Sequence, residues 1–81
     1  MQVRTLFFAA YRDAVGTTAL QVDLPEGATV GDLVSGLRAR GAPFDRLPEL
    51  PAVAVNRTLV RGDAALSNGD EIAFLPPVAG G

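Results

Sequence analysis

The chain has 81 residues, 48% of them hydrophobic and 20% charged, with a net charge of −2. That length makes one small domain burying about 60–65% of its unfolded surface, and the apolar share supports a core without staples. It contains no His, no Cys and no Lys, all seven basic residues being Arg, which excludes disulfides, thiol nucleophiles, the common general base and the Schiff-base amine.

Val3 to Ala10 reads as a first strand, rich in β-branched and aromatic residues. Alternation puts Val3, Thr5, Phe7 and Ala9 on one face and Arg4, Leu6, Phe8 and Ala10 on the other. Each face carries an aromatic residue, unusual for a sheet with one solvated side. Tyr11 to Thr18 is a connection with a helical turn at Tyr11-Arg12-Asp13-Ala14, ending near Gly16. Ala19 to Leu24 is a second strand with Leu20, Val22 and Leu24 inward, and so short a link predicts an antiparallel hairpin.

Pro25-Glu26-Gly27 punctuates the chain, and a helix follows from Thr29, which with Asp32 has the spacing of a capping box. Val30, Leu33, Val34 and Leu37 form one apolar stripe. Gly31 and Gly36 each cost about 1 kcal/mol against Ala, so packing on a sheet must hold this helix. Arg38 and Arg40 suit the negative end of the macrodipole, and Gly41 is the expected C′ residue. Residues 42 to 51, with three prolines, are a loop containing a short turn at Phe44-Asp45-Arg46-Leu47.

Ala52-Val53-Ala54-Val55 reads as a buried strand, and Asn56-Arg57 as a two-residue turn into Thr58-Leu59-Val60. Arg61 to Asn68 is irregular, anchored by Leu66. Ser67-Asn68-Gly69-Asp70 is a turn, and Glu71 to Leu75 is the last strand. The order β-β-α-β-β-β predicts an α+β, β-grasp domain over residues 1–75: a mixed sheet, one main helix across it, and the first and last strands parallel at its centre.

Two features suit a partner rather than a core. If the Ile72/Phe74 face meets the helix, Leu75 points away from it, and by the same parity so does Phe8. They make an outward apolar patch, which Leu59 joins if its short strand, whose facing the sequence does not settle, turns the same way. Each side chain contributes about 1.5–3 kcal/mol when buried by a partner. The second feature is the extended tail over residues 76–81, Pro76-Pro77-Val78-Ala79-Gly80-Gly81. Its prolines keep the backbone extended, and its two terminal glycines let the main chain enter a passage too narrow for side chains. Such a tail suits delivery of a terminal carboxylate into a partner's active site.

Other motifs carry no function. Asn56-Arg57-Thr58 matches a glycosylation sequon but reads as a turn, and Arg61-Gly62-Asp63 is a common loop tripeptide. Asp70-Glu71, without His or Cys nearby, makes a poor metal site. No phosphate loop and no basic stripe for nucleic acid occurs. No stretch reaches bilayer length or has the order of a leader, which predicts a cytoplasmic protein without membrane contact. Ser35, Ser67 and Tyr11 have no side-chain base of the usual kind to activate them, so a self-sufficient enzyme is not expected.

The segment Asn56-Arg57-Thr58-Leu59-Val60 and then Leu66 to Gly81, with Asn68-Gly69-Asp70-Glu71 and Pro76-Pro77-Val78-Ala79-Gly80-Gly81, resembles the small subunit of molybdopterin synthase, a ubiquitin-like sulfur carrier. Leu6-Phe7-Phe8-Ala9, Arg12 and Gly16 extend the resemblance to the whole chain. It implies that an enzyme of the ubiquitin-activating type adenylates the Gly81 carboxylate with ATP. A sulfur donor such as a cysteine desulfurase system would then convert it to a thiocarboxylate. The tail would enter the synthase large subunit, which supplies the catalytic side chains, and give sulfur to cyclic pyranopterin monophosphate in a heterotetramer with two copies of each subunit. No stably bound cofactor is implied.

Adenylation is required on physical grounds, because a terminal carboxylate of pKa about 3.3–3.7 is an anion and a poor electrophile at neutral pH. The family's docking positions fall here on Phe8, Leu59 and Leu75, the last more often Phe in relatives. Rival readings are a sulfur carrier for thiamine or tRNA thiolation, a ubiquitin-like protein modifier, and a plain interaction module.

Overall fold

The computed structural model describes residues 1–77. Its elements in order are β1 (Gln2–Phe7), α1 (Ala9–Val15), β2 (Ala19–Asp23), α2 (Val30–Arg38), a 3-10 turn (Phe44–Arg46), β3 (Ala52–Val55), β4 (Thr58–Val60) and β5 (Glu71–Leu75). The five strands form one sheet in the order β2-β1-β5-β3-β4. β1 and β5 pair in parallel, Arg4 opposite Glu71 through Phe7 opposite Phe74, and the other three pairings are antiparallel. This is the ubiquitin-like β-grasp arrangement, with the chain's first and last strands adjacent at the middle of the sheet.

Alternation decides which face is the core. Val3, Thr5 and Phe7 of β1 and Ile72 and Phe74 of β5 are fully buried on one side. Val30, Leu33, Val34 and Leu37 of α2 complete the same cluster. At about 1.5–3 kcal/mol per buried aliphatic side chain, these four outweigh the roughly 1 kcal/mol that each helix glycine costs. Phe7 lies at the centre, its ring 5.3 Å from that of Phe74 and 6.3 Å from that of Phe44.

The helix start has a reciprocal capping box: Asp32 N–H donates to Thr29 Oγ1 at 3.2 Å, and Thr29 N–H donates to Asp32 Oδ2 at 2.9 Å. The loop before β5 satisfies further donors of the first turn, which has no intrahelical partners. Val30 N–H donates to Ala64 O at 3.0 Å and Gly31 N–H to Gly62 O at 2.8 Å. Arg61-Gly62-Asp63 is thereby fixed as part of the helix cap. Leu66 is buried, anchoring the same loop.

Three local expectations need correction. The first strand ends at Phe7 rather than Ala10, because the backbone reverses at Ala9 (φ 47°) and enters a seven-residue helix, α1, where only one turn was expected. Gly16 ends α1 in the left-handed conformation, donating to Arg12 O at 2.8 Å. Gly41 is left-handed too (φ 82°), but α2 ends at Arg38 with Ala39 as cap, so Gly41 lies beyond C′ and follows an extra turn. In the loop of residues 42–51, Leu47 is fully buried and enters the core.

Candidate functional site

The sheet face away from α2 carries an apolar row that crosses all five strands. Register places Leu59 opposite Ala54, Ala54 opposite Ala73, Ala73 opposite Leu6, and Leu6 opposite Ala19. Paired residues project to the same side of a sheet, so the facing of Leu59, unsettled by a three-residue strand, is the facing of Leu75. Leu75 lies two residues beyond Ala73 and pairs with Ala52. Among the described residues no helix covers this row: Leu59 is 69% exposed, and Leu75, Ala73 and Leu6 are half-buried.

Phe8 is 46% exposed, but it does not get there as a strand residue. It is the N-cap of α1, extended at φ −121° and ψ 153°, with its carbonyl accepting from Tyr11 N–H at 3.0 Å and Arg12 N–H at 3.3 Å. Because Phe7 is paired with Phe74, the residues that follow them, Phe8 and Leu75, lie at the same end of the sheet. Pro76 (half-buried) and Pro77 (exposed) continue from there. Val78, Ala79, Gly80 and Gly81, the rest of the expected tail, lie outside the described residues.

The opposite end of β5 is held by a polar network. Asn56 Oδ1 accepts from Glu71 N–H at 3.0 Å, and Asn56 Nδ2 donates to Asp70 Oδ1 at 2.9 Å. Asp70 Oδ2 accepts from Ser67 N–H at 2.7 Å. Asn56 (φ 50°) and Arg57 (φ 72°) are left-handed, as a tight hairpin turn demands. Asn56 and Asp70 thus brace the strand whose far end carries the prolines.

Sequence reading missed one exposed apolar residue. Leu50 is 92% exposed in the loop before β3, and its only signal was a leucine set between Pro48 and Pro51. Among the described residues there is no group of three or more His, Cys, Asp or Glu able to hold a metal ion, and no helix is long and apolar enough to cross a membrane. What the described site offers is an apolar row on an open sheet face, running up to an extended strand end, with the Arg4–Glu71 pair on the same face toward the other end of the central strands.

The fold and this face define a β-grasp protein with an open apolar sheet surface at the root of its C-terminal segment. Residues 5–81 match the ThiS family, and the chain belongs to that family. It is 42% identical to the molybdopterin synthase sulfur carrier subunit of Escherichia coli, over 98% of this chain and 99% of that one. With the corresponding subunit of Haemophilus influenzae it shares 38% identity over the same proportions. Among solved structures, Haloferax volcanii small archaeal modifier protein 1 superposes with a TM-score of 0.82 at 26% identity, covering 95% of this chain and 98% of that one.

Proposed function

We propose that this chain is the sulfur-carrier small subunit of a molybdopterin synthase, with residues 1–75 as the carrying domain and residues 76–81 as the delivery tail. An activating enzyme joins the Gly81 carboxylate to AMP from ATP, releasing pyrophosphate. Sulfide-level sulfur from a donor then displaces AMP, leaving a thiocarboxylate; where the donor is a persulfide, a thiol supplies the two electrons that release the sulfur at that level. The large subunit docks on Phe8, Leu59 and Leu75, receives Pro76 to Gly81, and directs the terminal sulfur onto cyclic pyranopterin monophosphate. Once that bond has formed, one water cleaves the acyl–sulfur bond, leaving sulfur on the pterin and returning Gly81 as a carboxylate. A fixed geometry inside a partner cavity raises the local concentration of that sulfur and keeps water away from it.

The observation that carries this reading is the position of the apolar face: it borders the end of the central strand β5, from which Pro76 and Pro77 depart. Near full-length similarity to sulfur carrier subunits supports it. The test is intact mass spectrometry after incubation with ATP, the activating enzyme and a sulfur source. Replacement of one terminal oxygen by sulfur is expected, together with its complete loss on deletion of Gly81. An unmodified wild-type mass would end the proposal. The likeness to a small archaeal modifier protein favours a second reading, in which Gly81 is joined to amines of other proteins. Gly81-dependent conjugates of higher mass on a denaturing gel distinguish it.

A further inference from the structure

Beside the end of β5 lies an open groove of about 420 Å³, lined chiefly by Tyr11, Pro48, Leu50, Pro51, Leu75 and Pro77, with Ala52 and Pro76 completing its walls. None of these residues is charged. Leu50 stands at its side, 92% exposed. Its loop is tied down at both ends. On one side Leu47 is buried and its carbonyl accepts from Arg38 Nε at 2.8 Å, while Arg38 also pairs with Glu49 at 3.5 Å. On the other, Ala52 is already in the sheet opposite Leu75. Pro48 and Pro51 narrow the backbone freedom between those anchors, so Leu50 is displayed with little ordering entropy left to lose on contact.

We propose that this groove, with Leu50 as its anchor, is a second contact for the synthase large subunit, which fills it with an uncharged apolar segment. The proposal rests on the sulfur-carrier reading above, and two features of the groove select that occupant. Its wall includes Pro76 and Pro77, so a protein that takes in the residues beyond Pro77 must come to rest against it. Through Ala52 and Leu75 it is also continuous with the apolar sheet face, so one partner covers both without crossing a charged rim. A second copy of this chain seated there would obstruct the strand end that the tail leaves from.

The experiment is titration calorimetry of the full chain against the purified large subunit of the same organism, comparing wild type with Leu50→Asp and Leu50→Ala. Leu50→Asp is expected to weaken binding at least tenfold and Leu50→Ala by several-fold, both with an unchanged thermal midpoint. Wild-type affinity in both variants overturns the groove contact and leaves the sheet-face reading standing. Absence of wild-type binding overturns the sulfur-carrier reading, and the groove assignment falls with it. Sedimentation of the free chain supplies the remaining outcome: concentration-dependent self-association abolished by Leu50→Asp assigns the groove to a second copy and overturns the proposal.

Discussion

Thr5 Oγ1 is the one buried side-chain oxygen among the described residues without a hydrogen-bond partner. It lies on the inward face of β1 between Val3 and Phe7, opposite Ile72 of β5. An unpaired hydroxyl in such a place costs about 1–3 kcal/mol of desolvation, and removing it at constant shape recovers part of that. Thr5→Val is therefore expected to stabilise the fold by about 1 kcal/mol, a rise of about 4–8 °C in thermal midpoint for a domain this small. Calorimetry or a urea melt checks it; a lower midpoint would mean that the hydroxyl is satisfied. Strand parity assigns Thr5 to the core face from sequence, but whether its oxygen has a partner depends on what packs around it from other elements, Leu20 of β2 and Ile72 of β5 among them.

At the scale of elements, the two glycines of α2 look alike in sequence and differ in space. A Cβ on Gly36 would meet nothing within 4 Å, whereas one on Gly31 would lie 3.3 Å from Gly62 O. That oxygen is held in place, since it already accepts from Gly31 N–H. Gly36→Ala should raise stability by about 0.5–1 kcal/mol through helix propensity. Gly31→Ala should lower it, because the loop must shift and disturb the cap of the first turn. Thermal midpoints in the order Gly36→Ala, wild type, Gly31→Ala are the expected result, and the reverse order would refute this account of the cap. The capping box and the apolar stripe of α2 were legible because both are local patterns. Helix α1 was legible only as the turn at Tyr11 to Ala14 and its end near Gly16; its start at Ala9 uses a positive φ that nothing in Phe8-Ala9-Ala10 announces.

At the scale of the whole molecule, β5 at the middle of the sheet puts its far end beside both Phe8 and the row ending at Leu59. These side chains support little of the core, being 46% and 69% exposed. Phe8→Ala and Leu59→Ala are each expected to weaken large-subunit binding by tenfold or more, as truncation of a docking anchor does, while changing fold stability by less than about 0.5 kcal/mol. Binding isotherms read beside melting curves check both halves. A variant that melts early and binds normally would place its residue in the fold rather than the docking face.

Sequence by itself determined most of the strand spans and the capped amphipathic helix, because periodicity, turn chemistry and capping act over a few neighbouring positions, and the order of those elements pointed to the parallel central pair. Tertiary structure decided what depends on distant partners. Cross-strand register set the facing of Leu59, and the tie between Gly31 and Gly62 separated one helix glycine from the other. The exposure of Leu50 beside the strand end was likewise decided there, since solvent access is a property of the surrounding surface and not of the residue or its neighbours in the chain.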